Sequence, residues 1–352
     1  MSREITIDNT PVGDATDSYV IAEIGHNHQG DLEKCKALFL AAKECGANAA
    51  KLQKRDNRAL FTADMYDAPY ENRNSYGDTY GEHRERLEFG RDEYLALKDY
   101  AAEIGITFFA TAFDVPSSDF LAELDMPAYK IASGDLLNTP LLKHVAGIGK
   151  PIVMSTGGGN IADVQRAYDL IMPINSELCI LQCTSGYPSV FEELNLHVIE
   201  SYRERFADAV IGYSGHENGI AIAVVAHVLG ARVIEKHFTL DRTWKGTDQA
   251  MSLTPAGLKR MVRDLKRARV AMGDPDKRAL DSEQSPLKKQ AKYIVAGSDL
   301  EAGHVLGAAD LAYKISRNAG LPPYAVAEVV GRKINKALGA DQNITMDDLE
   351  PA

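Results

Sequence analysis

The chain has 352 residues, 45% apolar and 25% charged, an ordinary globular balance with material for two domains or one large domain with an appendage. Its 39 Lys and Arg against 50 Asp and Glu leave a formal charge of −11, which argues against nucleic acid as the main partner because phosphate backbones need a basic face. No apolar run reaches the roughly 18–20 residues of a membrane span, Met1-Ser2-Arg3-Glu4 has no apolar signal core behind it, and Cys35, Cys45, Cys179 and Cys183 make no disulfide framework, so a cytoplasmic protein with buried thiols is expected.

Between residues 18 and 271, strand-like apolar runs alternate with amphipathic helical stretches. The predicted strands are 18–25, 47–53, 107–113, 128–133, 151–156, 177–184, 209–214 and 231–238. Helical periodicity follows most of them, at 32–45, 92–104, 161–171, 219–229 and 255–272. Thr139-Pro140 reads as an N-cap followed by proline in the first turn. The polar stretch between Lys54 and Phe89 breaks the rhythm and reads as a loop over the barrel mouth. Eight strand–helix units over about 250 residues have the size of a (β/α)8 TIM barrel in the α/β class. A doubly wound open sheet is the alternative, weakened because no Gly-x-Gly-x-x-Gly follows the first strand. Gly157-Gly158-Gly159 suits either a phosphate cradle or a permissive turn. The expected division is a barrel domain over 1–272, a charged linker over 273–290 and a small, mostly β domain over 291–352, with helical turns at 309–311 and 324–330.

Chemistry in such a barrel sits at the carboxyl ends of the strands. The residues there are Glu23, Lys51, Gln53, Lys130, Ser133, Ser155, Thr156, Thr184, Ser185, Ser214, Glu235, Lys236 and His237, with His216 just past the seventh strand. Alternation puts Val233, Glu235 and His237 on one face and Ile234, Lys236 and Phe238 on the other. With the first set inward, Glu235 and His237 enter the lumen, either as a buried ion-pair network or as a binding site. Lys51 and Lys130 with Ser133, Ser155, Ser185 and Ser214 suit a phosphate. His216 and His237 suit a divalent metal with positions left for water and substrate. The other histidines, His26, His83, His144, His197, His227 and His304, show no comparable setting.

With these residues in view, the chain resembles the N-acetylneuraminate (sialic acid) synthases and related nonulosonate synthases over nearly its whole length. The resemblance is carried in order by Ile21-Ala22-Glu23-Ile24-Gly25-His26-Asn27-His28-Gln29-Gly30, by Ala128-Tyr129-Lys130-Ile131-Ala132-Ser133-Gly134-Asp135, by Gln182-Cys183-Thr184-Ser185-Gly186-Tyr187-Pro188, by Gly212-Tyr213-Ser214-Gly215-His216 and by Ile234-Glu235-Lys236-His237-Phe238-Thr239. It implies a barrel followed by an antifreeze-like (SAF, β-clip) domain. It implies condensation of phosphoenolpyruvate with an open-chain amino sugar, N-acetylmannosamine by default, with release of phosphate. A divalent metal is implied, Mn²⁺ first and Mg²⁺ or Co²⁺ as alternatives, together with a domain-swapped homodimer. Carried over residue by residue, His216 and His237 are the metal ligands, and Lys51, Lys130, Ser133, Ser155, Ser185 and Ser214 hold phosphoenolpyruvate. Asn74, Tyr187 and Asp248 contact the sugar, and Glu23 and Glu235 are the acid/base candidates.

Three positions depart from the family pattern. Ser214-Gly215-His216 stands where Ser-Asp-His is common, and Gly246-Thr247-Asp248-Gln249 where Gly-Pro-Asp-His is common. In the small domain Ile315 takes the place of an arginine that reaches the sugar in many members, and Arg317 lies two residues away. The acceptor is therefore left open between N-acetylmannosamine, mannose and a 2,4-diacetamido sugar. Two readings from other classes are a metal-dependent pyruvate aldolase and a non-catalytic carbohydrate-binding scaffold.

Overall fold

Eight segments buried on both faces pair in parallel and close on themselves. The computed structural model describes residues 3–351 and divides into two units, Met1–Gly273 and Asp274–Ala352. In the first unit a hairpin, β1 (Glu4–Ile7) and β2 (Thr10–Gly13), precedes the barrel. The barrel strands are β3 (Tyr19–Gly25), β4 (Ala49–Lys54), β5 (Thr107–Ala112), β6 (Tyr129–Ile131), β7 (Ile152–Ser155), β8 (Leu178–Cys183), β9 (Val210–Gly215) and β10 (Val233–His237). They run in sequence order, and β10 pairs with both β9 and β3, so the sheet has no edge and the doubly wound alternative is excluded.

Alternation sorts the side chains into two cores. Ile234, Ile211 and Ile180 join the layer between the sheet and its helices. Val233, Val210, Cys179, Phe109 and Ile21 face inward and pack with Ile5, Ile7 and Val12 of the hairpin, which fills the end of the barrel where the strands begin. The hairpin was not among the predicted strands, because four-residue segments carry too little alternation to register. An apolar plug at one end leaves the polar inward residues at the other, two to four positions further along each strand.

Helices cover the strands at Leu32–Glu44, Arg91–Ile104, Ile161–Ile171, Ala221–Val228 and Pro255–Met272, within a residue or two of the sequence reading. Three expectations need correction. The N-cap before Pro140 is Asn138, whose side chain accepts from the Leu141 amide, and Thr139 is already helical. The segment read as one loop between Lys54 and Phe89 holds three short helices, Asn57–Leu60, Ala63–Tyr66 and Tyr80–Glu85. Each is started by a local cap, at Asp56, Thr62 and Thr79, and one or two turns are too short to show a helical period. The expected linker contains a helix with no buried residue, Asp281–Lys288.

The second unit is built on an antiparallel pair, β11 (Lys292–Ala296) and β12 (Leu311–Ile315), around a core of Ile294, Leu306, Val329, Ile334, Leu338 and Ile344. Its helical turns fall at Ala308–Asp310, Pro323–Ala325, Val326–Val329 and Met346–Asp348. No helix among the described residues is long and apolar enough to cross a membrane, and all four cysteines are buried and free.

Candidate active site

The strand register brings the chemistry together before any side chain is considered. Glu23 lies opposite Lys51, Thr111 opposite Lys130, Ser214 opposite Glu235, and His237 opposite Glu23. All point inward, and they line one cavity of about 590 Å³. Ser133, Ser155, Ser185, Tyr187, His216 and Asp248 line the same cavity. Asn74 stands behind that wall, its side-chain oxygen accepting from the Gly246 amide at 3.3 Å. Arg317 belongs to the second unit, exposed in the bend after β12.

Four buried ionisable groups form the floor. Lys51 Nζ is 2.5 Å from Glu23 Oε2 and 3.7 Å from Glu235 Oε2, and it donates to Thr111 Oγ1 at 2.9 Å. Lys130 Nζ is 3.7 Å from Glu235 Oε1 and donates to Ser155 Oγ at 2.7 Å. Burial raises the Glu235 carboxyl, but Lys130 and Lys51 outweigh it and hold the group at about 2. Glu23 is raised instead: burial is the main cause, the Glu235 charge adds to it, and Lys51 and Gln53 only partly oppose it. The 2.5 Å contact with Lys51 favours an ionised Glu23, yet that ammonium is shared with Glu235, so burial prevails. Burial also lowers Lys130, against the pull of Glu235. With Glu23 leaning toward its neutral form, two ammonium groups face one firm carboxylate, and the floor attracts an anion.

Next to the floor is a small-residue cradle. The Gly157 amide donates to Ser133 Oγ at 2.9 Å, and a Cβ at 157 would stand 2.1 Å from Ser185 Oγ and 2.9 Å from Ser133 Oγ. The glycine run after β7 therefore has a packing reason at its first position. The hydroxyls, one of them oriented by the Gly157 amide, and the lysines together are a donor set that a phosphate group takes.

The two histidines meet across β9 and β10 with ring centroids 5.4 Å apart. His216 Nδ1 pairs with the Thr184 carbonyl at 2.9 Å, which fixes the ring and leaves Nε2 as its free lone pair. His237 Nδ1 is buried without a hydrogen-bond partner, and the nearest carboxylate oxygen, Asp248 Oδ2, is 3.8 Å away. Burial brings His237 down to about 4, with Asp248 opposing. A neutral, orphaned imidazole nitrogen beside a second imidazole fits a divalent cation. Among the described residues no third His, Cys, Asp or Glu completes a cage, so remaining positions would fall to substrate and water. The Tyr187 ring is tilted against His216 at 4.2 Å, half exposed at the entrance.

Several lining residues were not singled out from the sequence. His26 and His83, judged to have no such setting, both line the cavity. Arg55 Nη1 and Arg84 Nη1 approach the two nitrogens of His26, each at 3.4 Å. Burial drives His26 far below the usual imidazole range, and the two guanidinium groups deepen the shift, so it is a neutral spacer between cations. Gln53 falls at the strand end where the sequence placed it, and Arg55 was within reach of the same reasoning, since it continues the inward parity of Lys51 and Gln53. Arg84 and His83 were not, because they sit on a short helix inside the segment read as a loop. Cys183 completes the wall between Ser133 Oγ (3.4 Å) and His216 Nδ1 (3.9 Å).

The departure at Gly215 also has a cause. A Cβ there would lie 2.5 Å from Glu217 Oε2 and 2.6 Å from the Tyr213 ring, so the Glu217 carboxylate occupies the space that any side chain at 215 would need.

Known proteins with this pattern are similar along most of their length. Residues 38–277 match the NeuB family and residues 291–350 match the SAF domain. The chain is 42% identical to the human N-acetylneuraminate-9-phosphate synthase over 338 residues, covering 96% of this chain and 94% of that one. It is 32% identical to the N,N'-diacetyllegionaminic acid synthase of Legionella pneumophila, covering 97% of each. A solved N-acetylneuraminic acid synthetase from Leptospira borgpetersenii superposes with a TM-score of 0.71 at 32% identity, over 82% of this chain and 96% of that one.

Proposed function

This chain belongs to the NeuB family, with a SAF domain behind its barrel, and from that premise we propose how its site works: it joins phosphoenolpyruvate to an open-chain amino sugar to give a nonulosonic acid and phosphate. It is a carbon–carbon bond-forming transferase of the sialic acid synthase type. The observation that carries the reading is the union, in one cavity, of the Lys51–Lys130 floor and the Ser133 and Ser185 hydroxyls, backed by Gly157, with the His216–His237 pair.

Each group has a task. Lys51, Lys130 and the cradle hold the phosphate and carboxylate of phosphoenolpyruvate. Its methylene carbon then attacks the aldehyde of the acceptor, forming the new carbon–carbon bond and leaving positive charge on the enol-ether carbon. Water adds to that carbon, and the tetrahedral species expels phosphate. Glu23, whose carboxyl burial raises toward its neutral form, is suited to give its proton to the aldehyde oxygen as that becomes a hydroxyl and then, ionised, to take one from the added water. Glu235 stays ionised and keeps both lysines in place. His216 and His237 would hold a divalent metal, Mn²⁺ by preference, whose chemistry there is Lewis-acid polarisation of the aldehyde. Tyr187 and Asp248 bound the sugar end, with Asn74 bracing Gly246. The proposal includes a homodimer in which Arg317 of one copy serves the sugar site of the other, and a cytoplasmic setting, the latter supported by four buried free thiols.

The test is phosphate release from phosphoenolpyruvate with Mn²⁺ and a panel of acceptors: N-acetylmannosamine, mannose and a 2,4-diacetamido hexose. Release that depends on the acceptor is expected, and its absence across the panel overturns the reading, while pyruvate consumption without phosphate would point to an aldolase. Sedimentation of the full chain, and loss of activity in Arg317→Ala restored by mixing with an inactive barrel variant, test the dimer.

A second acceptor reading has its own observation. The human and mouse relatives are 9-phosphate synthases. Condensation adds three carbons ahead of the aldehyde, so a 9-phosphate arises from a hexosamine 6-phosphate. Arg55 and Arg84 supply two guanidinium groups on the cavity wall, and Arg84 has no carboxylate within 4.0 Å among the described residues. This favours an acceptor with an anionic group at the end remote from the aldehyde, and N-acetylmannosamine 6-phosphate joins the panel.

A further inference from the structure

Glu217 follows His216 and Lys236 precedes His237, and the two form an ion pair with no exposure to solvent worth the name, at 0% and 2%. Neither lines the cavity. Lys236 and His237 are neighbours on β10 and face opposite sides, and Glu217 meets Lys236 away from the cavity that both imidazoles line, so the ion pair sits back to back with them. Lys236 Nζ donates to Glu217 Oε1 at 2.7 Å and to the Glu217 main-chain carbonyl at 2.7 Å. Tyr213, itself buried, donates its hydroxyl to Glu217 Oε2 at 2.8 Å. Every strong acceptor of Glu217 is thereby used, and all of it is anchored on β9 and β10.

The backbone explains why such an anchor is needed there. The β9 ladder ends at Gly215, whose register partner on β10 is Lys236. His216 is the first residue past the ladder, so no strand pairing holds its backbone against β10. The lysine's bond to the Glu217 carbonyl replaces it one residue later. Gly215 completes the device by leaving empty the space over which the carboxylate folds back. A barrel wall alone does not call for this: packed apolar residues would serve it as well as a buried ion pair, whose desolvation offsets most of its attraction.

We propose that Lys236 and Glu217, with Gly215 making room for them, are positioning residues that set the spacing of His216 and His237 for a divalent cation. The proposal rests on the metal reading given above. They touch neither substrate nor metal and act through the backbone of the residues beside them.

Binding of Co²⁺ to the full chain, followed by its visible absorption, and of Mn²⁺ by calorimetry, tests this without reference to turnover. Lys236→Met is expected to raise the metal Kd at least about tenfold, the scale on which outer-shell partners act, and to shift the cobalt bands. Glu217→Gln and Gly215→Ala are expected to move both readouts the same way, and they carry the test if Lys236→Met does not fold. Wild-type Kd and wild-type bands in variants whose Tm has fallen would make the pair a structural contact only and overturn the proposal. His216→Ala separates the two levels: it is expected to abolish cobalt binding, and wild-type binding in that variant would instead overturn the metal reading.

Discussion

Glu23 and Glu235 lie on neighbouring strands, share the ammonium of Lys51, and titrate in opposite directions. The difference comes from their other neighbours. Glu235 has a second lysine, Lys130, and a hydroxyl donor in Ser214 at 3.1 Å. Glu23 has only Gln53 Nε2 at 2.7 Å besides the shared lysine, and the negative charge of Glu235 stands close by. One carboxylate is thus committed as a counter-ion, and the other is available to exchange a proton.

That asymmetry has a thermal signature. A carboxyl whose folded pKa is raised binds its proton more tightly folded than unfolded, so its contribution to stability is fully present below the unfolded pKa of 4.5 and is lost as pH rises toward the folded value. Glu23→Gln removes the ionisation. The Tm of this variant relative to the wild type is expected to climb as pH rises above about 4.5 and to level off once pH has passed through the raised folded value, with each unit of folded-state displacement corresponding to about 1.4 kcal/mol. A difference that stays flat with pH would show that Glu23 titrates normally. Turnover of the same variant is expected to fall about 10²- to 10⁴-fold, the usual contribution of a positioned proton-transfer group.

Gly157→Ala is a steric test of the phosphate cradle. Its methyl would meet Ser185 Oγ and Ser133 Oγ, both ends of short side chains that can turn away, so the fold is expected to survive with a Tm close to wild type. Turning away costs the donors. The KM for phosphoenolpyruvate is expected to rise about tenfold or more while the KM for the acceptor holds. Equal changes in both constants would place the phosphate elsewhere.

Much of this site was legible because it obeys strand parity. Glu23, Lys51, Lys130, Ser214, Glu235 and His237 sit at inward positions of eight recognisable strands, and closing the barrel is enough to bring them together. What escaped depended on short-range structure with no period. Arg84 and His83 reach the cavity from a six-residue helix held by the Thr79–Glu82 capping box. Asn138 caps a helix one residue before the expected position. The role of Lys236 escaped for another reason: parity placed it outward, and nothing in the sequence says that Glu217 folds back over Gly215 to meet it.

Lys130 probes the charge balance of the floor. Lys130→Met leaves Glu235 with Lys51 alone in a buried setting, and removing one partner of such a group costs about 3–5 kcal/mol. Adding Glu235→Gln removes the buried carboxylate that has lost its second counter-ion, so the double variant is expected to regain part of the lost Tm without regaining turnover. Additive losses in chemical denaturation would mean that the two residues do not balance each other.

Arg84 decides between acceptors. Its guanidinium donates through Nε and Nη2 to the Tyr80 hydroxyl, at 3.1 and 2.7 Å, and otherwise faces His26. Among the described residues no carboxylate oxygen lies within 4.0 Å of Arg84, whereas its neighbour Arg55 has Glu88 at 3.9 Å, and burial with the two guanidinium groups holds His26 neutral, so the Arg84 charge is free to meet an anionic group on the substrate. A charge-assisted hydrogen bond to a phosphate contributes about 1.5–3 kcal/mol. Arg84→Gln is therefore expected to raise the KM for N-acetylmannosamine 6-phosphate about 10- to 100-fold while leaving the KM for N-acetylmannosamine and for phosphoenolpyruvate within about twofold. Because Arg84 bridges no buried carboxylate, its Tm is expected to stay close to wild type. A loss of equal size on both sugars would show that Arg84 holds the acceptor's common portion, and the preference for a phosphorylated end would have to come from another residue.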